Sequence, residues 1–188
     1  MQWEFNLPVT LVFGSGKRND LAKYIDEIGG SRGVLVCGNS FCKNGVADEF
    51  LRLGGGKIVE IFSDIRPNPT TDNVNDCVRL MREVDADFAV ALGGGSPMDC
   101  CKAACAIVKG DDNIEPYHSS GKPISAKEAI PMIAVTTTSG TASEVTNISV
   151  AIVKDEKDGV LTGGETKLGL VSDDIIPNKV CLIPELLK

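Results

Sequence analysis

Two short stretches of this sequence place small and hydroxyl-bearing residues where a chain can hold a phosphate group. The first is residues 93–99, with the sequence GGGSPMD, and the second is residues 136–146, with the sequence TTTSGTASEVT. Glycine lets another group approach the backbone closely, and serine and threonine supply hydroxyl donors. The triplet matches neither G-x-x-x-x-G-K-[ST] nor G-x-G-x-x-G, so a plain structural turn is an equal alternative for the triplet taken alone.

Each stretch follows an apolar run that is typical of a buried strand. The predicted elements are a strand at 88–92, a helix at 100–108 and a strand at 130–135. Ser96 suits the N-cap of the helix, Pro97 its first position and Asp99 its third, where a carboxylate can return a hydrogen bond. The free N–H groups of a helix start attract phosphate, and parallel sheets bind ligands beyond the carboxyl ends of their strands. The pattern therefore predicts a ligand site at two strand ends.

The same alternation of strands and helices runs through most of the chain. Further strands are expected at 7–13, Gly33–Cys37, 57–62, 148–153, 167–171 and 179–183. Further helices are expected at 20–28 and Val46–Leu53, and one more, capped by Thr71 or Asp72, extends to Val84. Residues 110–127 indicate a surface loop, and residues 155–164 a charged turn. This order implies right-handed crossovers and predicts an α/β fold with a doubly wound parallel sheet.

Composition limits the class of protein. The 188 residues suit one domain, 1–188, and the net charge of −7 argues against a nucleic-acid partner. No apolar stretch is long enough to span a membrane, and the first residues lack a secretory pattern. Seven cysteines, with Cys100 and Cys101 adjacent, do not indicate a disulfide framework, so we expect packing cysteines and a cytoplasmic location. With His118 as the only histidine, we expect no metal site.

The two motifs, in this order and spacing, resemble the iron-containing (group III) alcohol dehydrogenase family. Residues 66–70, RPNPT, are similar to a loop of that family, and residues 3–16 resemble its small amino-terminal β-hairpin. The resemblance covers nearly the whole chain. It implies a Rossmann-like dinucleotide-binding domain, with the family's all-helical metal domain absent from this chain.

The resemblance also implies an activity, which is hydride transfer between an alcohol or aldehyde and a nicotinamide dinucleotide. Fe²⁺ or Zn²⁺ would act as a Lewis acid in the absent domain, so no catalytic residue and no metal ligand are expected in this chain. The expected cofactor-binding residues are Gly38, Asn39, Ser40, Asn68, Gly94, Gly95, Ser96, Asp99, Thr137, Thr138, Thr141 and Lys167. For Asp99, helix capping is an equal alternative, and for Lys167 the alternative is a solvated surface lysine.

Position 38 bears on the choice between NAD and NADP. Members of the family that prefer NAD tend to have aspartate there, which accepts from the ribose hydroxyls and repels a 2′-phosphate. Here the residues are Gly38, Asn39 and Ser40, followed by Lys43, and none of them is negative. NADP is therefore predicted over NAD, with a plain turn at Gly38 as the alternative.

Two other functions are compatible with the sequence. One is an enzyme like glycerol dehydrogenase or dehydroquinate synthase, and the other is a cofactor-binding module that is inactive on its own. The TTTSGTASEVT stretch and the Pro67–Pro69 region favour the alcohol dehydrogenases. Expected partners are a small alcohol or aldehyde and either a second copy of the chain or a separate metal-binding half.

Overall fold

The computed structural model describes residues 7–110, 113–117, 121–125, 127, 129–157 and 160–187, with backbone alone at 154–157 and 160–163. His118 and residues 1–6, where the first part of the predicted hairpin falls, lie outside the described residues. The strands are β1 Thr10–Phe13, β2 Gly33–Cys37, β3 Ile58–Phe62, β4 Phe88–Gly93, β5 Met132–Thr136, β6 Ile148–Lys157, β7 Val160–Val171 and β8 Lys179–Leu182. The helices are α1 Leu21–Glu27, α2 Asn39–Lys43, α3 Val46–Leu53, α4 Thr71–Glu83 and α5 Gly95–Ile107.

Six of the strands form one parallel sheet in the order β1-β8-β5-β4-β2-β3. The chain moves outward from β2 to β3 and then returns to the other side of β2 with β4. The strand order therefore reverses between β2 and β4, which is where open α/β sheets bind ligands. This sheet confirms the predicted Rossmann-like α/β class.

The sheet is covered on both faces, which explains its continuously apolar strands. Successive side chains point to opposite faces, so that Val34 and Val36 pack with α4 and α5, whereas Leu35 packs with α1 and α3. Ten of the thirteen residues of α5 are buried. Because this helix is buried almost all round, its small residues, three cysteines and three alanines among them, allow close packing.

The antiparallel hairpin of β6 and β7 lies against α5 and adds Ala151, Leu168 and Leu170 to the core. Its strands are longer than predicted and extend into the expected turn at 155–164. The predicted surface loop at 110–127 also differs in part, because the side chains of Ile114 and Tyr117 are buried.

The N-cap of helix α4 lies one residue before the two predicted cap residues, Thr71 and Asp72. Its N-cap is Thr70, whose hydroxyl accepts from the backbone N–H of Asn73, while the Asn73 side chain accepts from the backbone N–H of Thr70. This reciprocal pair satisfies two N–H groups at the helix start. The described residues contain no helix that is both long enough and apolar enough to cross a membrane.

Candidate functional site

The candidate site lies at the carboxyl ends of β2 and β4, the two strands between which the sheet order reverses. Cys37 and Leu92 are paired in register, so the segments that follow them, starting at Gly38 and Gly93, leave the sheet side by side. A ligand at this edge can contact both segments. The sequence predicted residues of both segments as cofactor contacts, and the fold brings them together.

The start of α5 supplies unpaired N–H groups to this edge. Gly94 is the N-cap, and the first helical hydrogen bond runs from the N–H of Met98 to the carbonyl of Gly94. Pro97 has no N–H, so the amides of Gly94, Gly95 and Ser96 are the donors left at the helix start. Together with the helix dipole, they form a positively polarised group that suits a phosphate.

The predicted capping scheme at this helix is wrong. Ser96 is the second helical residue instead of the N-cap, and no side chain caps the helix. Asp99 lies more than one turn in, and its Oδ1 atom accepts from the Ser143 hydroxyl at 2.6 Å. Asp99 therefore links α5 to the segment after β5 and does not cap the helix.

The threonine-rich loop after β5 lies directly over the glycines. A Cβ atom at Gly94 would lie 3.0 Å from Oγ1 of Thr138, and one at Gly95 would lie 3.1 Å from Oγ1 of Thr141. A larger residue at either position would require the threonine side chain to shift by a few tenths of an ångström. The N–H of Thr137 donates to the carbonyl of Gly93 at 3.0 Å, which fixes the loop to the end of β4.

A third segment reaches the same helix start from the turn after β3. The N–H of Asn68 donates to Oγ of Ser96 at 3.1 Å, and Asn68 has a left-handed backbone with φ of 57°. Asparagine tolerates that conformation better than most residues, which explains its place in this turn. Three loops therefore meet at the first turn of α5: the glycine triplet, the threonine-rich loop and the turn that contains Asn68.

The first residues after β2 form the short helix α2. Gly38 is the N-cap of α2, and a Cβ atom there would meet nothing nearer than Oγ of Ser40 at 3.9 Å. Asn39 and Ser40 are exposed beside it. The space next to Gly38 is therefore open to a ligand or to a larger side chain.

Two ionisable side chains of α5, the partly buried Asp99 and the buried Lys102, follow the glycines by one to two helical turns. Burial raises the pKa of Asp99, although the Ser143 hydroxyl and the Lys102 ammonium act in the opposite direction. Burial likewise lowers the pKa of Lys102 to about 8, against the attraction of Asp99. Lys102 and Ser143 are not among the residues predicted from the sequence. A lysine among the small residues of a helix is a signal that its ammonium group has buried polar partners. The sequence does not identify those partners, because they lie more than 40 residues further along the chain.

Lys167 is not among the residues that these contacts join. It lies exposed in β7, opposite Ile152, which in turn bridges to Thr70. Its contact with a ribose stays a prediction, as do the roles of the other predicted cofactor residues.

The described residues do not fit a metal ion, because they contain no group of three or more His, Cys, Asp or Glu side chains that could hold one. All seven cysteines are free thiols, and only Cys42 is more than slightly exposed. Burial raises the pKa of the Cys37 and Cys181 thiols to about 12. These two thiols are poor nucleophiles and pack as small apolar groups.

Comparison with known proteins identifies the family. The sequence profile of "Iron-containing alcohol dehydrogenase" matches residues 8–184. The chain belongs to the iron-containing alcohol dehydrogenase family. Its similarity to the NADPH-dependent aldehyde reductase YqhD of Escherichia coli is 37% identity over 147 residues, which are 74% of this chain and 37% of the relative. With the probable NADH-dependent butanol dehydrogenase 2 of Bacillus subtilis, the identity is 35% over 145 residues, or 76% of this chain and 37% of the relative.

Solved structures of the iron-containing alcohol dehydrogenase family share the fold of this chain. Sulfoacetaldehyde reductase from Bifidobacterium kashiwanohense, in complex with NAD⁺, matches with a TM-score of 0.87 and 34% identity. The match covers 99% of this chain and 47% of that one. A 1,3-propanediol oxidoreductase matches with a TM-score of 0.80 and 28% identity, over all of this chain and 47% of the other. The chain therefore spans less than half of the length of these relatives.

Proposed function

We propose that residues 1–188 form the dinucleotide-binding domain of an NAD(P)-dependent alcohol dehydrogenase, in which hydride passes between an alcohol or aldehyde and the nicotinamide ring. The observation that carries the proposal is the close fit of Thr138 and Thr141 over Gly94 and Gly95 at the start of α5. That fit brings backbone N–H groups and hydroxyls together, and these are the donors from which a pyrophosphate accepts.

Each part of the site has a role in this proposal. The amides of Gly94, Gly95 and Ser96 hold the pyrophosphate, and Thr137, Thr138, Thr141 and Asn68 line its other sides. Asp99 is proposed as a polar contact near the cofactor, and Lys167 as a contact to the ribose on the nicotinamide side. When bound, the nicotinamide supplies the carbon that accepts or gives up the hydride, and the domain binds and orients it. No step is assigned here to a metal, since the described residues offer no set of ligands.

For cofactor choice we propose NADP over NAD. The support is the open space beside Gly38, with the exposed side chains of Asn39 and Ser40 next to it and the exposed Lys43 in the same short helix. Asparagine and serine donate hydrogen bonds to a 2′-phosphate, and a lysine nearby adds attraction. Named relatives include both an NADPH-dependent and an NADH-dependent enzyme, so the family alone does not decide this point.

The proposed pyrophosphate site is tested by adding one methyl group to it. Gly95→Ala places a Cβ atom 3.1 Å from the Thr141 side chain and narrows the space at the first amide of α5. We expect this variant to bind NADPH at least about tenfold more weakly than the unmodified protein, from the loss of one to two hydrogen bonds to a charged group. Titration followed by the fluorescence of the reduced nicotinamide measures the affinity.

The matched control is Gly140→Ala in the same threonine-rich loop, where an added Cβ atom meets nothing within 4 Å. It should bind both cofactors like the unmodified protein. If the unmodified protein binds neither NADPH nor NADH, the proposed function is wrong. Assay of the same protein with Fe²⁺, a set of small alcohols and NADP then tests whether the chain has dehydrogenase activity by itself.

A further inference from the structure

The turn between β3 and α4, residues 63–70, carries an exposed arginine whose charge is not used within the structure. Among the described residues, the guanidinium of Arg66 has no hydrogen-bond partner and no ion pair. The same turn reaches the candidate site, because the N–H of Asn68 donates to Oγ of Ser96 in the first turn of α5. An unpaired cation therefore lies in one of the three loops that meet there.

The backbone on both sides of Arg66 is fixed, although its side chain is not. Before it, the carbonyl of Asp64 accepts from Nδ2 of Asn73 at 3.0 Å. After it, the carbonyl of Pro69 accepts from the N–H of Ile152 at 2.8 Å. Because the turn is already ordered, a ligand that binds the guanidinium has to order this one side chain and not the loop that carries it.

Arg66 is the one cationic residue in the three loops at the start of α5. The glycine triplet and the threonine-rich loop, residues 136–146, contain no lysine, arginine or histidine. The donors of those two loops are therefore neutral N–H and hydroxyl groups, whereas the pyrophosphate of a dinucleotide is an anion. Charge-assisted bonds from a guanidinium to phosphate oxygens are about twice as strong as neutral ones and are often bidentate. Arg66 can supply the contribution that the other two loops lack.

The separation between Arg66 and the start of α5 is short enough for both to contact one ligand. Arg66 and Asn68 are two residues apart, so their Cα atoms are separated by at most about 7 Å. The N–H of Asn68 lies 3.1 Å from Oγ of Ser96. The methylene stem and the guanidinium of an arginine extend over a distance of this size.

Glu165 of β7 is the acid that competes for this guanidinium. Both side chains line one small cavity of about 160 Å³, together with Pro67, Asn68, Thr70 and Ile152. Arg66 and Glu165 are both exposed, and they do not form an ion pair with each other. Even if they approached, an exposed ion pair contributes little, so the arginine can turn from this cavity toward a phosphate at small cost.

We propose that Arg66 binds the pyrophosphate of the dinucleotide from the turn after β3, and so adds a positive charge to the neutral donors of the other two loops. This inference rests on the proposed function. It adds a residue that is not among the cofactor contacts predicted from the sequence. The other phosphate that a dinucleotide can offer is the 2′-phosphate of NADP, and a comparison with NADH, which lacks it, distinguishes the two.

The test compares Arg66→Gln and Arg66→Lys with a control, Arg52→Gln. The control removes the same charge from the chain. Arg52 is also exposed, and its guanidinium has no partner among the described residues, but it lies in the last turn of α3, from which the chain returns to the amino end of β3.

We expect both NADPH and NADH to bind about tenfold more weakly to Arg66→Gln, with no change in Arg52→Gln. Arg66→Lys should lose less affinity than Arg66→Gln, because it keeps the charge but not the bidentate geometry. The difference between Arg66→Gln and the unmodified protein should shrink at high salt, where exposed charges are screened. Because Arg66 has no partner in the described chain, Arg66→Gln without cofactor should unfold at the same urea concentration as the unmodified protein.

The outcomes separate the two proposals. If the unmodified protein binds neither NADPH nor NADH, the proposed function fails and this inference fails with it. If the unmodified protein binds cofactor and Arg66→Gln binds both cofactors equally well, this inference alone is overturned. A loss of affinity for NADPH without a loss for NADH would assign Arg66 to the 2′-phosphate and would also overturn it.

Discussion

Gly93 and Pro97 are so close that a Cβ atom on Gly93 would lie 2.8 Å from Cγ of Pro97. Gly93 also has φ of 144°, a backbone conformation that is open to glycine and strained for other residues. The proline ring is rigid and is held by the first turn of α5, so it cannot move aside like a flexible side chain. The turn from β4 into α5 therefore requires glycine for two independent reasons.

We expect Gly93→Ala to lower the free energy of unfolding by about 2–4 kcal/mol, from backbone strain and steric overlap together. Urea unfolding at equilibrium measures this change. Gly140→Ala is the control, since its added methyl group meets no neighbour, and it should stay within about 0.5 kcal/mol of the unmodified protein. Equal stability of the Gly93→Ala and Gly140→Ala variants would show that the turn does not need glycine.

The open space at Gly38 makes cofactor choice testable with one substitution. Gly38→Asp fits sterically and adds a negative charge where the 2′-phosphate is proposed to lie. We expect NADPH binding to weaken by about 1–3 kcal/mol, the range for hydrogen bonds to a charged group, and NADH binding to stay equal or improve. Calorimetric titration of both cofactors measures the two affinities.

Gly38→Asn is the matched control, because asparagine has the size of aspartate without its charge. It should retain more of the NADPH affinity than Gly38→Asp. A preference of the unmodified protein for NADH would contradict the interpretation of Gly38, Asn39 and Ser40 as a phosphate site.

The buried thiol of Cys181 predicts a loss of stability at alkaline pH. Its pKa is raised by burial to about 12 from a usual value of 9.0, so the unfolded chain releases this proton at a lower pH than the folded chain. The contribution of the thiol to stability is therefore complete below about pH 9 and is lost as the pH rises toward 12. At pH 10 the loss is about 1.4 kcal/mol for this one group.

The measurement is the change in unfolding free energy between pH 8 and pH 10, compared between the unmodified protein and Cys181→Ala. The difference between the two proteins cancels the contributions of other groups, including Lys102, whose lowered pKa acts in the opposite direction. We expect a smaller fall in the variant. Parallel pH curves for the two proteins would refute the assignment.

The sequence was most informative where one local signal decided the structure. Strand Gly33–Cys37 and helix Val46–Leu53 have the predicted bounds, because a continuous apolar run and an amphipathic pattern each end at glycines. The strand–glycine–helix order also placed the glycine triplet at the carboxyl end of a strand, as the fold has it.

The details of the site depended on contacts that local patterns do not contain. Three successive glycines leave the first residue of α5 undetermined, and the threonines that pack against Gly94 and Gly95 lie 44 to 46 residues further on. Asp99 looked like a capping residue because its partner, Ser143, lies 44 residues away. Helix α2 was missed because its five residues are too few for a periodic pattern.

The pairing of β1 with β8 has a consequence for the order in which the chain can fold. Within the described sheet, β1 has β8 as its single neighbour, and paired residues such as Thr10 and Lys179 are separated by almost the whole chain. During synthesis, β1 leaves the ribosome before the other strands of this sheet, and it has no partner strand until residues 179–182 have emerged, roughly ten seconds later or more at common elongation rates. Until then β1, which carries the exposed Leu11 and Phe13, is an unpaired strand, and such a strand is a template for pairing with other chains.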